Sequence, residues 1–384
     1  MVRESENLSV SNVRRWTGSE GFRFPLALFF FGRLGLLASS YIGMTLVPSL
    51  YTHPEARQAV LKSHPAWDGL CRWDCGWFDY LATHGYAKAE DAKIFPLFAL
   101  LGHLIEYTTG VSHIYGFLFI ANVASLASYF VIYQLFRRLE GASAARWGLL
   151  LFSAYPFHFY QAAAYPESLM VLGSALALYL AMGNRHIAAG HVLGLGIMAR
   201  HLTVFGGAGM LVAQIRQRGI SPRRLIANKI FFGLVIPFLY VAAFAFHLKM
   251  TVGDPLAFYH SRDFGWGPSV WYSVRQIWNF ESFDRHPEYF IYQPIALIPV
   301  FGTILLCTRK KWAELAANAL VLMVVVLASG GVALGRYSAA CWPAFLPLGI
   351  FLARRVSLQG PILSTLLVLQ GIFFFLFSHQ FRIL

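Results

Sequence analysis

The sequence predicts an all-α protein that crosses a membrane many times. Three observations carry that expectation. Hydrophobic residues make up 57% of the chain and charged residues only 13%, against roughly 25% charged in a soluble domain. Apolar runs near bilayer length, about 20 residues, recur along the whole chain. Short clusters of Arg and Lys separate many of these runs, as the retention of basic loops on the inner side predicts. The mean hydropathy is +0.54. The formal net charge of +13 would suggest nucleic acid in a soluble protein. Here the basic residues sit between apolar runs, so no nucleic-acid partner is expected.

Residues 1–23 are polar and fit a cytoplasmic tail, and residues 24–384 form one transmembrane domain. The N-terminus is too long and polar for an ordinary signal peptide, so the first run, about 24–48, is an anchored span. It contains Arg33. An intramembrane Arg marks a functional site by default, and snorkelling or pairing with a carboxylate explains it equally well. A first large outer loop covers about 49–112 and includes Ile94–Ile105, too short to cross and suited to a re-entrant or interfacial helix. Further spans are expected near 113–136, 147–162, 167–183, 230–250, 290–307, 314–330, 337–353 and 361–378. Residues 187–215 form one long helix or two short ones. Keeping the most basic loop, Arg216 to Lys229, inside requires two. The total is about eleven spans, with a second outer loop at 251–289.

Every Asp in the chain (68, 74, 79, 91, 254, 263 and 284) falls in one of the two outer loops. Polar loops hold polar residues, yet the inner loops are polar too and contain none. Acid–base chemistry is therefore concentrated on one side.

The most informative stretch is 72–98, RWDCGWFDYLATHGYAKAEDAKIFPLF. Asp74 is placed to N-cap a short helix and Gly85 to end it. Trp73 and Trp77 suit a membrane surface. Asp74 also has Arg72, Trp73 and Trp77 beside it, an environment for a charged, partly desolvated general base. Asp79, five residues on, points elsewhere on a helix, so the two do not form a dyad. The chain has four cysteines. A Cys71–Cys75 disulfide across one turn is uncommon, and a metal site needs more ligands. They fit simple core or surface thiols better. In GDPLAFYHSRDFGWGPSVW, Asp254 is a turn residue or, with His260 and Arg262, part of a site. Arg200 and His201 lie at the depth of Arg336 and Tyr337, and several cations at one level suit a phosphate. Each alone fits an interfacial anchor as well. No Walker loop or dinucleotide fingerprint is present.

Several of these motifs, in order, resemble the PIG-V-like mannosyltransferases, the GPI mannosyltransferase II family of the GT-C glycosyltransferase superfamily. RWDCGWFDYLATHGY with IFPLF is similar to its WDG-type first loop and FFPLYP segment. AAAYPESLMVLGSALALYLA resembles its Y-S/T-E-S-L-F helix, GLGIMARHLTVFGG its Arg-containing segment, GDPLAF its second-loop motif and GRYSAACWPAFLPL its final RY–FP segment. The first loop and GDPLAF are quite specific. Cys75 and His201 depart from the usual residues. The resemblance implies a GT-C-type bundle with short interfacial helices in its two outer loops, and inverting transfer of a sugar, typically mannose, from a polyprenyl-phosphate donor. The acceptor would be a lipid, glycan or protein. It implies Asp74 as catalytic base. Arg336, Arg200, Arg72 and His201 then suit the donor phosphate. Trp73, Trp77, Tyr165, Glu167, Asp254, His260, Arg262 and Tyr337 suit the substrates. No metal is required in principle. The compact chain suits a bacterial inner (plasma) membrane with the site on the periplasmic face, or the ER membrane in a eukaryote. The rival class is a transporter or flippase of a lipid-linked sugar, which would favour repeat symmetry and midplane polar sites.

Overall fold

The computed structural model describes residues 19–47, 64–219, 229–261, 289–328 and 333–381. Every element among them is helical. The expected all-α class is the one found.

Helix α1 (Glu20–Leu46) is 27 residues long. A single turn at Pro65–Asp68 follows, then α2 (Cys75–His84), ended by Gly85 at φ 65°. Gly supplies that left-handed backbone at no steric cost. Helix α3 (Pro96–Thr109) opens on a proline at its first position, where a missing N–H is harmless. It folds back on α4 (His113–Ala154). Phe98 stacks on Phe117, with ring centroids 4.8 Å apart. The short apolar run therefore forms a hairpin with the start of α4.

Residues 113–136 and 147–162 were expected as separate spans. The helix α4 breaks between them at Gly141, whose φ of 82° and ψ of 177° are non-helical, so its 42 residues are two helices joined at a kink. The second run stops at Ala154, and a 3-10 turn, Pro156–Gln161, replaces its end. Beyond lie α5 (Glu167–Met182), α6 (His186–Ala199) and α7 (Gly206–Arg218). The 187–215 segment is thus two short helices joined by a 3-10 turn at His201–Phe205. They are antiparallel: Gln214 near the end of α7 contacts His186 at the start of α6, 3.5 Å away. Helix α6 packs tightly on α5, where a Cβ on Gly173 would lie 3.0 Å from the Cα of Gly196. Small residues permit that approach.

The rest are α8 (Lys229–Val252), α9 (Tyr289–Ala296), α10 (Ile298–Cys307), α11 (Ala313–Ala328), α12 (Leu334–Ser338), α13 (Phe345–Ala353) and α14 (Val356–Ser378). The expected 337–353 span is divided between α12 and α13. Among the described residues five helices are long and apolar enough to cross a membrane, and four shorter apolar helices accompany them. The chain is a membrane protein.

One end of the bundle is tied by ion pairs among the basic turns. Glu20 binds Arg146, Lys311 meets Glu140 at 2.5 Å and Arg216 meets Glu314 at 2.7 Å. The starts of α4 and α5 and the ends of α1, α6 and α14 gather at the opposite end.

There a disulfide joins Cys71 to Cys75, which corrects the expectation of plain thiols. Cys71 precedes the helix, so the pair brackets an irregular turn rather than one regular helical turn. Cys307 is free and exposed, and Cys341 is free and buried. Maleimide labelling should therefore mark Cys307 alone in the folded chain, Cys341 as well after denaturation, and Cys71 and Cys75 only once reductant is added. Four labels without reductant would contradict the bridge.

Candidate active site

The turn at Cys71–Cys75 sets the site. Trp73 has φ 54°, a conformation bulky residues avoid. It is held from both sides. The Tyr165 hydroxyl donates to the Arg72 carbonyl at 2.8 Å and accepts from the Asp74 N–H at 3.1 Å. With the disulfide, this clamp fixes the chain where Asp74 leaves it.

Asp74 stands at the N-terminus of α2, but its carboxylate caps nothing. The side chain instead reaches across the fold to Arg336 on α12, with Nη1 2.5 Å from Oδ2. The N-cap expectation fails because a charge-assisted bond to a guanidinium outcompetes a backbone N–H. Arg336 Nε also binds Glu167 Oε1, and Arg200 Nη1 binds the same oxygen at 2.9 Å. Arg200 Nη2 donates to the Tyr337 hydroxyl at 3.0 Å. The Arg336 guanidinium lies over the Tyr165 ring, 4.4 Å from its centroid. Asp74, Arg336, Glu167 and Arg200 therefore form one network.

Burial within it is uneven. The Arg336 and Glu167 side chains are 4% and 1% exposed, while that of Asp74 is 42% exposed. Asp74 is the open end. Burial pushes its carboxyl up, but Arg336, with Arg200 and Lys93 farther off, more than offsets this and holds it below the ordinary carboxylate value. Three buried atoms of the network have no hydrogen-bond partner: Glu167 Oε2, Arg336 Nη2 and Arg200 Nε. Buried charged groups rarely stay so.

The other sequence candidates are placed differently. Arg72 turns away: its guanidinium donates to the Ser378 and Cys71 carbonyls at 2.8 and 3.1 Å, a structural tie to α14. Trp77 carries Lys93, whose Nζ is 3.8 Å from the ring centroid. Lys93 escaped notice in the sequence, although it stands immediately before the IFPLF motif. His201 packs against Phe95, ring centroids 5.6 Å apart. Asp254 and His260 pair with each other at 2.7 Å, and Asp254 also accepts from the Leu256 N–H. That turn packs against the first loop through Phe258 and Phe95. His260, then Leu256, keeps the exposed Asp254 carboxyl below its ordinary value. Asp79 is bound to His113 at 2.6 Å and has no part in the network. Arg262, Asp263 and Asp284 lie outside the described residues. Among the described residues no cluster of His, Cys, Asp or Glu could hold a metal ion.

No protein-family model matches the chain, and no curated protein matches it in sequence. Its fold is similar to solved ones. The Archaeoglobus fulgidus oligosaccharyltransferase, in complex with zinc and sulfate, matches with a TM-score of 0.50 and 12% identity over 91% of this chain and 53% of that one. The archaeal oligosaccharyltransferase AglB of the same organism, in complex with an inhibitory peptide and a dolichol-phosphate, gives 0.49 and 11% over 92% and 55%. The chain spans about half the length of these solved relatives. The first likeness is one of fold alone, a bundle of apolar helices.

Two measurements test the geometry. The Asp74 carboxylate band, assigned by infrared difference against Asp74→Asn, should persist as pH falls to about 3.9, the ordinary Asp value. The pairing then stabilises the fold above that value and is lost as pH falls through the lowered one. Arg336→Gln removes the main lowering influence, so protonation should move to higher pH. An unmoved band would refute the pairing. Tyr165→Phe leaves the Asp74 N–H unpaired and the Arg72 carbonyl with the Cys75 N–H as its remaining donor, and should cost about 1–3 kcal/mol in denaturant unfolding.

Proposed function

We propose that this chain is an inverting glycosyltransferase that moves a sugar, mannose by its motifs, from a polyprenyl-phosphate donor to an acceptor hydroxyl. The motif resemblance to the PIG-V-like mannosyltransferases supports this reading, and the fold is compatible with it. The observation that carries it is the network's imbalance. Arg336 Nη2 and Arg200 Nε are buried donors without partners, beside a carboxylate that is open to one side. Phosphate oxygens suit such guanidinium donors. Glu167 Oε2 is a buried acceptor and suits a sugar hydroxyl.

In the proposed reaction the acceptor oxygen attacks the anomeric carbon as its proton passes to Asp74. The new C–O bond forms as the bond from that carbon to the phosphate oxygen breaks. The polyprenyl phosphate leaves with the electron pair from the opposite face, so configuration inverts. One base suffices, unlike the paired carboxylates of a retaining hydrolase. Arg336 has a double task. Alone, it suppresses the basicity of Asp74. A donor phosphate drawing on the same guanidinium relieves that suppression, so donor binding readies the base. Arg200 and Lys93 supply further positive charge, whereas Arg72 is committed to backbone carbonyls.

The reading places the site on the outer face of a plasma membrane, periplasmic in a bacterium, or on the luminal face of the ER in a eukaryote. The sidedness of Asp and basic residues and the disulfide at the site end support that placement. A flippase would want its polar groups near the midplane. Here the Asp74 network lies at one end of the bundle.

The deciding assay uses the purified chain in liposomes, radiolabelled polyprenyl-phosphate mannose and a membrane lipid extract. A labelled glycoside should form. Asp74→Asn should cut turnover by about 10²–10⁴, the usual contribution of a general base, with donor affinity kept. Near-normal turnover in that variant would sink the role of Asp74. Donor translocation without any glycoside would turn the reading to a lipid carrier.

A further inference from the structure

Lys93 stands on the open side of the Asp74 network. It is the last residue of a 3-10 turn, Ala89–Lys93, whose backbone is fixed on both sides. The Asp91 carboxylate accepts from the Ala87 and Lys88 N–H groups at 3.1 and 2.9 Å, and the Tyr86 hydroxyl donates to the Ile94 carbonyl at 2.7 Å. Ala92 is fully buried, and the Phe95 ring packs on Phe244 and Phe258. The end of α8 and the start of the second outer loop therefore brace the turn.

The side chain is held differently from its backbone. Among the described residues the Lys93 ammonium makes no ion pair and no hydrogen bond; it rests on the Trp77 ring, 3.8 Å from the centroid. Asp91, two residues away, is committed to backbone N–H groups. A cation on an aromatic face is held less firmly than one hydrogen-bonded to a phosphate. Trp77 follows Asp74 by three residues, and its N–H donates to the Asp74 carbonyl at 2.9 Å. Burial pushes the Asp74 carboxyl up, and Arg336, then Arg200 and Lys93, hold it down. Lys93 is thus near enough to act on the site and loosely enough held to change partner. Its long, flexible stem allows the exchange.

The charges of the site give it a task. The carboxylates of Asp74 and Glu167 cancel the guanidinium groups of Arg336 and Arg200. Lys93 supplies the positive charge in excess, which matches the single negative charge of a sugar phosphodiester. During transfer the bond from the anomeric carbon to the phosphate oxygen breaks and its electron pair stays on that oxygen. The acceptor's proton passes to Asp74. The phosphate becomes a monoester and approaches two negative charges at neutral pH. Asp74 loses its own negative charge at the same moment. Protein and ligand therefore stay matched before and after the reaction, provided that Lys93 takes part.

We propose that Lys93 is the ligand of the leaving group: as the glycosyl bond breaks, it quits the Trp77 ring and binds the phosphate oxygen that the break exposes. This rests on the glycosyl-transfer reading and divides the labour within it. The buried Arg336 Nη2 and Arg200 Nε meet the phosphodiester on arrival, and Lys93 meets the monoester that it becomes. Trp77 keeps the ammonium beside the site until then.

Two measurements on the full chain test this. Native mass spectrometry reads the binding of polyprenyl phosphate, the monoester product, and of a C-glycosyl phosphonate analogue of the donor, which carries one negative charge and cannot react. Lys93→Gln should weaken the product about 10–100-fold, the worth of one charge-assisted hydrogen bond, and the analogue less than about threefold. In the liposome assay the same variant should slow the single-turnover rate at saturating donor by about 10–100-fold, with the donor KM nearly unchanged. Lys93→Arg, which keeps the charge, should recover most of that rate. Equal weakening of product and analogue, weakening of neither, or a native single-turnover rate in Lys93→Gln would overturn the proposal and leave glycosyl transfer standing. Selective loss of product binding in Lys93→Gln, with no transfer by the native chain, would overturn glycosyl transfer and keep Lys93 as a ligand of the phosphate monoester.

Discussion

The candidate site depends on one buried carboxylate, Glu167. It stands in the first turn of α5, 1% exposed, and holds two guanidinium groups that come from different helices. Without it, Arg336 and Arg200 would be two like charges in a low-dielectric pocket. Removing one partner of a buried pair typically costs about 3–5 kcal/mol, because it strands the other charge. Glu167 thus lets the fold concentrate positive charge at a point that also carries an acid. Its placement at a helix N-terminus helps, since the helix dipole favours a negative group there.

Asp74 completes this arrangement from a piece of backbone that is itself under constraint. The left-handed Trp73 is expensive, of order 1–3 kcal/mol. The disulfide and the Tyr165 clamp hold it. Such strain needs a rigid surround, and the aromatic packing of Phe78, Phe98, Phe117 and Tyr165 supplies it. The result is a carboxylate set by the fold rather than by its own helix.

Much of this was legible in the sequence. Asp74, Arg200, Arg336 and Tyr337 stood out as residue types in telling places, Tyr165 and Glu167 only through the motif resemblance, and the fold brings all six into contact. The two short helices at 187–215 followed from charge bookkeeping across the membrane. What escaped shares a cause. A spacing of four suggests one regular turn, so Cys71 and Cys75 looked unlinked and Asp74 looked like a cap. Both inferences assumed helix where the chain makes an irregular turn. Arg72 misled for a related reason: proximity in sequence to Asp74 says nothing about direction, and its side chain faces α14. Lys93 was hidden by its ordinary company. The break at Gly141, by contrast, falls between the two spans that the basic cluster Arg137, Arg138 and Arg146 separates in the sequence.

The ion pair between Asp74 and Arg336 spans 262 positions of the chain. That separation orders events during biosynthesis. A ribosome adding about 5–20 residues per second needs roughly ten seconds to a minute to travel from one partner to the other. Throughout that interval the first loop and its turn, and from residue 167 onward Glu167, exist without the cation that unites them. The network of Asp74, Glu167, Arg200 and Arg336 cannot close until Arg336 has been added.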